Sequence, residues 1–199
     1  MPQVWRFNPE AGTILVACIS IRSSLVALTD LSGRIIDRRS VESGILDDPH
    51  EVCPLIIQEL TRLRDEHPEL PPVWGTGVTV PAPVDLASGT LVNPVTGRAG
   101  SVDLWTRFPV KEFMSAELDT PVWIEDEVNA MAYHASLRPG APDDLLYVRL
   151  SLGLGLGIIS GGALHRGHVG TSGELAHIQV DTTGPDECRC GRRGCLETF

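Results

Sequence analysis

A chain of 199 residues with 42% hydrophobic content has apolar material for one large domain or two small ones, and too much for a disordered polypeptide. Its net charge of −10 argues against the basic face that autonomous nucleic-acid binding needs. With no secretory leader at Met1 and no apolar run long enough to span a bilayer, a soluble cytoplasmic protein with no membrane partner is expected.

Residues 1–12 mix Pro2, Trp5, Phe7 and Pro9 without periodicity and read as a linker. From Thr13 the pattern becomes β. Ile14 to Ile21 is a continuous apolar run suited to a buried strand, Ser24 to Thr29 is a second strand, and Asp30 to Gly33 is a turn. Arg34 to Val41 alternates and predicts a third strand antiparallel to the second. Asp47-Asp48-Pro49 is a helix start, an acidic cap followed by proline at the first helical position. Val52, Leu55, Ile56, Leu60 and Leu63 then share one helical face, with an end expected near His67-Pro68. Val73 to Val80 predicts a buried strand closed by Pro81-Ala82-Pro83. Leu86 to Leu104 is expected to be loop-rich, with a short strand at Thr90 to Val92. Val110 to Glu117 predicts a short helix, Val122 to Glu125 a strand and Asn129 to Leu137 a helix. Residues 13–138 thus form an α/β unit of order β-β-β-α-β-α-β-α.

Ser136 to Asp144, with Pro139, Gly140 and Pro142, reads as a link to a second unit. Leu145 to Leu150 predicts a strand, after which Gly153, Gly155 and Gly157 alternate with leucines. Ile158 to Ser160 and Ala163 to His165 form a hairpin around Gly161-Gly162. Residues 145–199 therefore begin the β-β-β order again. The chain reaches Phe199 before this unit acquires helices, as a fragment or truncated product would.

Three of the five cysteines, Cys188, Cys190 and Cys195, fall close together, with His177 upstream. Three thiolates and one imidazole match the closed tetrahedral shell of a structural zinc ion. Gly191 and Gly194 let the backbone fold tightly enough to aim the sulfurs at one point. The alternatives are small buried cysteines or a disulfide. Cys188 and Cys190 are too close to bridge each other easily, and clustered thiols without a secretory leader favour metal. Cys18 and Cys53 stand alone and read as core residues.

The element order, begun twice, resembles the actin–hexokinase–Hsp70 (ribonuclease H-like) α/β superfold, with a first lobe complete and a second begun and truncated. Within that superfold the chain resembles the ROK family (repressors, open reading frames and sugar kinases), most of all its NagC/XylR-type regulators. The family pattern G-E-x-G-H, then C-x-C-G-x-x-G-C-x-E, is matched by Gly173 to His177 and Cys188 to Glu197, with Ala176 the one departure. Thr76 to Asp85 resembles the family strand ending in P-G-P-V-D, with Ala82 replacing glycine. Val122 to Ala130 resembles V-x-x-E-N-D-V-N-A, and Tyr147 to Gly162 resembles Y-V-x-L-G-T-G-I-G-x-G-I-x-x-x-G. Arg6 to Gly12 resembles the linker that follows the winged helix-turn-helix of ROK repressors.

The resemblance implies a sugar site made by Asp126, Glu127, Glu174, His177 and Glu197, whose carboxylates and imidazole suit vicinal hydroxyls. It implies that structural zinc on His177, Cys188, Cys190 and Cys195 locks Glu174 and Glu197 in place. The asparagine of the family's N-x-x-G-W region has no clear counterpart in Asn93 to Arg98. Kinase chemistry is implied only in part. The phosphate loop D-x-G-G-T stands here as Cys18-Ile19-Ser20-Ile21-Arg22, and Ile21 would crowd a triphosphate. The second loop, G-T-G-x-G, stands as Ser151-Leu152-Gly153-Leu154-Gly155, with leucine for the threonine hydroxyl. ATP is therefore not an expected cofactor. Glu127 takes the position of the family's base and would be catalytic only in a kinase; Glu125-Asp126-Glu127 also reads as an acidic helix start.

The function implied is the sugar-effector-sensing domain of a ROK transcriptional regulator. Its ligand would be a monosaccharide or sugar derivative, its assembly a homo-oligomer, and its DNA contact an N-terminal helix-turn-helix absent from this chain. The alternatives are an ATP-dependent sugar kinase of the glucokinase type, and a non-functional truncation product or oligomerisation domain.

Overall fold

The apolar run at Thr13 becomes β1 (Thr13–Ile19), with Leu15, Ala17 and Ile19 fully buried. Only one of its faces enters the core; Ile14, Val16 and Cys18 on the other are half-buried, so the run is less enclosed than its composition suggests. This is a computed structural model, and it describes residues 5–92, 101–183 and 186–199. The stretch Asn93 to Arg98 lies outside the described residues.

β2 (Ser24–Asp30) and β3 (Ile35–Val41) add antiparallel to β1 as a meander. The helix α1 (Pro49–Asp65) follows, with the Asp48 carboxylate accepting from the His50 N–H at 2.8 Å. It buries Val52, Cys53, Ile56, Leu60 and Leu63. Leu55, expected on that face, is 44% exposed, and the small Cys53 thiol takes the inward place. Burial pushes that thiol up to about 12, so it is an inert packing group.

β4 (Val73–Val80) runs parallel to β1. The short strands β5 (Val84–Asp85) and β6 (Thr90–Leu91) pair with each other. α2 (Ser101–Arg107) and α3 (Val110–Leu118) precede β7 (Val122–Asp126), which pairs parallel with β4. The α2 helix was not expected. It is fixed by Trp105, 1% exposed, whose indole N–H donates to the Asp47 carbonyl at 2.9 Å. The five-stranded sheet has the order β3-β2-β1-β4-β7, with α1 and α3 packed on it.

The helix α4 (Glu127–Ser136) starts directly from β7 and packs on a three-stranded sheet of β8 (Leu145–Leu150), β9 (Leu154–Ser160) and β10 (Ala163–Leu164). It begins two residues earlier than expected because Asp126 caps it. Beyond β10 the chain is held by turns, including short 3-10 turns at Leu175–His177 and Leu196–Thr198. No helix among the described residues is long and apolar enough to cross a membrane.

Candidate functional site

A cleft of about 110 Å³ opens where the carboxyl ends of β4 and β7, the start of α4, the β8–β9 strands and the cysteine-rich segment meet. Asp126, Glu127, Glu174, His177 and Glu197 all line it, as does Ala82. The parallel register of β4 and β7, with Val80 opposite Asp126, delivers the Pro81-Ala82-Pro83 turn and the α4 cap to one rim. The cysteine-rich segment delivers Glu197 to the other.

The first wall is made by the start of α4. Oδ1 of Asp126 accepts from the backbone N–H groups of Val128 and Asn129 at 2.8 and 3.1 Å. Burial pushes the Asp126 carboxyl up to about 7; those N–H groups oppose the shift, and the charges of Glu174 and Glu127 add to it. Glu127 is buried and ion-paired with Arg149 of β8. Its carboxyl is raised by burial, against the opposing charge and hydrogen bond of Arg149. Next to it, Glu125 accepts from Arg166 Nε at 2.6 Å and from Asn129 Nδ2 at 3.2 Å.

The second wall carries Glu174 and Glu197. Glu174 stands at the cleft mouth with much of its surface in solvent. The surrounding protein and then the charge of Glu197 push its carboxyl upward. Among the described residues no side chain or backbone N–H donates to the Glu174 carboxylate. Glu197 is 10% exposed; its Oε2 accepts from Arg189 Nη2 at 3.1 Å, and its Oε1 lies 3.2 Å from Cys188 Sγ.

Behind Glu197 the ligand atoms of His177, Cys188, Cys190 and Cys195 all lie within 4.8 Å of one another. Cys188 Sγ is 3.4 Å from His177 Nδ1, and Cys190 Sγ is 3.6 Å from Cys195 Sγ. A tetrahedral metal with bonds near 2.3 Å to sulfur requires ligand–ligand edges of about 3.8 Å, so the set fits. The cysteines are free thiols rather than disulfides. The four side chains therefore make a group that could hold a metal ion. His177 turns Nδ1 toward this group, leaving Nε2 as its remaining polar atom. Two backbone bonds, Val180 N–H to Gly194 and Leu196 N–H to Ile178, both at 2.9 Å, bring the His177 and Cys195 segments side by side. Gly194 is indispensable to this turn: its φ is +67°, and a Cβ there would lie 1.4 Å from the Asp181 carbonyl oxygen.

The segment from Cys18 to Arg22 turns from β1 into β2. The Ser20 N–H is spent on the Ser23 carbonyl at 3.0 Å, and the Ser20 carbonyl accepts from Ile45 at 2.9 Å. Ile21 lines the cleft. The structure also adds two residues that the motif reading passed over, Arg149 and Arg189. The signal for Arg149 lay in β8. Leu146, Val148 and Leu150 point outward, which puts Arg149 on the packed face, where a guanidinium needs an acid.

The family model described as "ROK family" matches residues 22–199. The chain belongs to the ROK family. The xylose repressor of Bacillus subtilis (strain 168) is 30% identical over 203 residues, covering 100% of this chain and 50% of the repressor. The chain spans about half the length of the curated relatives it matches. A ROK family transcriptional regulator, a homologue of the E. coli MLC protein, superposes with a TM-score of 0.80 at 24% identity, over 96% of this chain and 47% of that one. The ROK family glucokinase of Streptomyces griseus, solved with glucose and AMPPNP, superposes with a TM-score of 0.72 at 25% identity, over 94% and 57%. The fold is thus the actin/hexokinase-like α/β fold of ROK proteins.

Proposed function

We propose that this chain is the sugar-effector-sensing part of a ROK transcriptional regulator. The observation that carries the proposal is the Arg149–Glu127 ion pair inside the cleft. A kinase needs a carboxylate free to take a proton from the attacking hydroxyl. Here the carboxylate in that position is already held by a guanidinium, and Ile21 stands where phosphate would approach. The sugar-facing side keeps its polar groups: Asp126, Glu127, Glu174, His177 and Glu197 would meet the ligand's hydroxyls. Relatives named as xylose repressors make xylose the first effector to test.

In this reading His177, Cys188, Cys190 and Cys195 hold a structural zinc ion, which fixes the Glu197 side of the cleft. Residues 13–138 form the first lobe and 145–199 open the second, with residues 1–12 as a linker. Sugar binding between them biases a closure that reaches the DNA-binding module. With a net charge of −10, the sensing part leaves DNA recognition to that separate module. The regulator works in the cytoplasm as a homo-oligomer.

The second reading is a sugar kinase, favoured by the similarity to a glucokinase and by the carboxylate at Glu127. The deciding experiment is ATP-dependent phosphorylation of a hexose and pentose panel by the full-length protein, with isothermal titration of the same sugars. Binding without turnover is expected. Robust turnover abolished by Glu127→Gln would overturn the sensor reading.

A further inference from the structure

Among the described residues three features of the cleft could hold an anion: the Arg149 guanidinium, the Arg189 guanidinium and the N-terminus of α4. Each is already occupied by a carboxylate of the chain itself. Arg149 is ion-paired with Glu127. Arg189 donates to Glu197 at 3.1 Å. In the first turn of α4 the N–H groups of Val128 and Asn129 are taken by Asp126 Oδ1. The remaining carboxylate, Glu174, has no donor among the described residues and faces the cleft. Among the described residues the lining thus carries four carboxylates against two guanidinium groups that are both already engaged.

We infer that the cleft admits unphosphorylated sugars and rejects their phosphate esters, with the Glu127–Arg149 pair as the specificity determinant. This rests on the sugar-sensing reading and narrows it to a ligand class. A hydroxyl-bearing ring suits the site because hydroxyls donate to carboxylates whose acceptor sites are unfilled. A phosphate group brings about two negative charges and strong acceptors into a lining that, among the described residues, offers no unpaired guanidinium and has a helix start already capped by a carboxylate. Like-charge juxtaposition of this kind is a common basis of rejection. Glu127 matters most because it both adds a negative charge and consumes the donors of Arg149. Replaced by a neutral isostere, it would release a guanidinium pointing into the site, the group best shaped to read phosphate.

The test is isothermal titration of the full-length protein at neutral pH with D-xylose, D-xylose 5-phosphate, D-glucose, glucose 6-phosphate, N-acetylmannosamine and N-acetylmannosamine 6-phosphate. Whichever free sugar binds, its ester is expected to bind at least about 10-fold more weakly. Glu127→Gln is expected to narrow that gap about 10-fold by strengthening the ester. An ester that binds the wild-type protein as tightly as its free sugar overturns the inference and leaves the sensor reading standing. A gap unchanged in Glu127→Gln overturns the assignment to this pair. Absence of binding by every compound defeats the sensor reading itself, and this inference with it. The wild-type comparison decides the ligand class without any variant.

Discussion

Gly157 on β9 lies so close beneath α4 that an added Cβ would sit 2.4 Å from the Cβ of Ala132 and 2.8 Å from the Val128 carbonyl oxygen. Gly155 is similar, with Val128 Cγ2 2.6 Å from its would-be Cβ. The alternating glycines that resemble a phosphate loop are thus explained by helix-on-sheet packing. Gly153 differs: a Cβ there meets nothing within 4 Å. Gly157→Ala is expected to cost about 1–3 kcal/mol in urea unfolding, the usual range for overpacking. Gly153→Ala should stay within about 0.5 kcal/mol of wild type. Equal losses at both positions would remove the packing explanation.

Arg149 is held in place by one partner, and that partner depends on it in turn. The Glu127 side chain is 11% exposed, so removing the guanidinium strands a charge in a poorly hydrated place. Arg149→Met should destabilise the protein by about 2 kcal/mol at neutral pH, less than for a fully enclosed pair because the arginine is 31% exposed. The loss should shrink as pH falls, because burial raises the Glu127 carboxyl and protonation discharges it. Adding Glu127→Gln to Arg149→Met should recover most of the loss. A double variant no more stable than Arg149→Met would show that the arginine acts through packing alone.

Much of the fold was legible because its elements announce themselves locally. β4 follows its β-rich run from Val73 to Val80, and α1 follows its Asp48-Pro49 start. Leu55 misled because helical spacing admits either it or Cys53 to the inward face, and only packing against the sheet chooses. α2 escaped because seven residues are too few to display a period; a hydrogen bond from Trp105 to a carbonyl 58 residues away fixes it. The site divides in the same way. Asp126, Glu127, Glu174, His177 and Glu197 were visible as motif positions, and the structure lines one cleft with them. Arg149 and Arg189 were not, because their meaning lies in pairing with acids 22 and 8 residues away.

Asp126 gives the protein a pH signature. Its carboxyl ionises near 3.8 when unperturbed and at about 7 in the fold, burial being the main cause. Over that interval the folded state keeps a proton that the unfolded chain has released. This group's contribution to stability therefore falls as pH rises from about 4 to about 7, and is level above that. Asp126→Asn keeps an acceptor for the Val128 and Asn129 N–H groups and removes the titration. The difference in unfolding free energy between variant and wild type should shift in favour of the variant between about pH 4 and about pH 7, and be level above that. A pH-independent difference would show that Asp126 ionises normally.

The proposed zinc ion is separately testable, because the four ligands come from a segment with little regular structure to hold it. Between Ile178 and Phe199 the described chain has a 3-10 turn and isolated bridges at Gln179–Cys195 and Glu187–Arg193. A bound metal would replace the missing core by tying His177 to Cys188, Cys190 and Cys195. Metal analysis should give about one zinc per chain, and Cys190→Ser should lower it sharply. Because Glu197 Oε1 lies 3.2 Å from Cys188 Sγ, chelation should loosen the second wall of the cleft as well as lower the melting temperature. Sugar affinity should therefore fall with metal content across a chelator titration and return when zinc is restored. A protein that keeps its melting temperature after the ion is stripped would show that the cysteines pack without needing it.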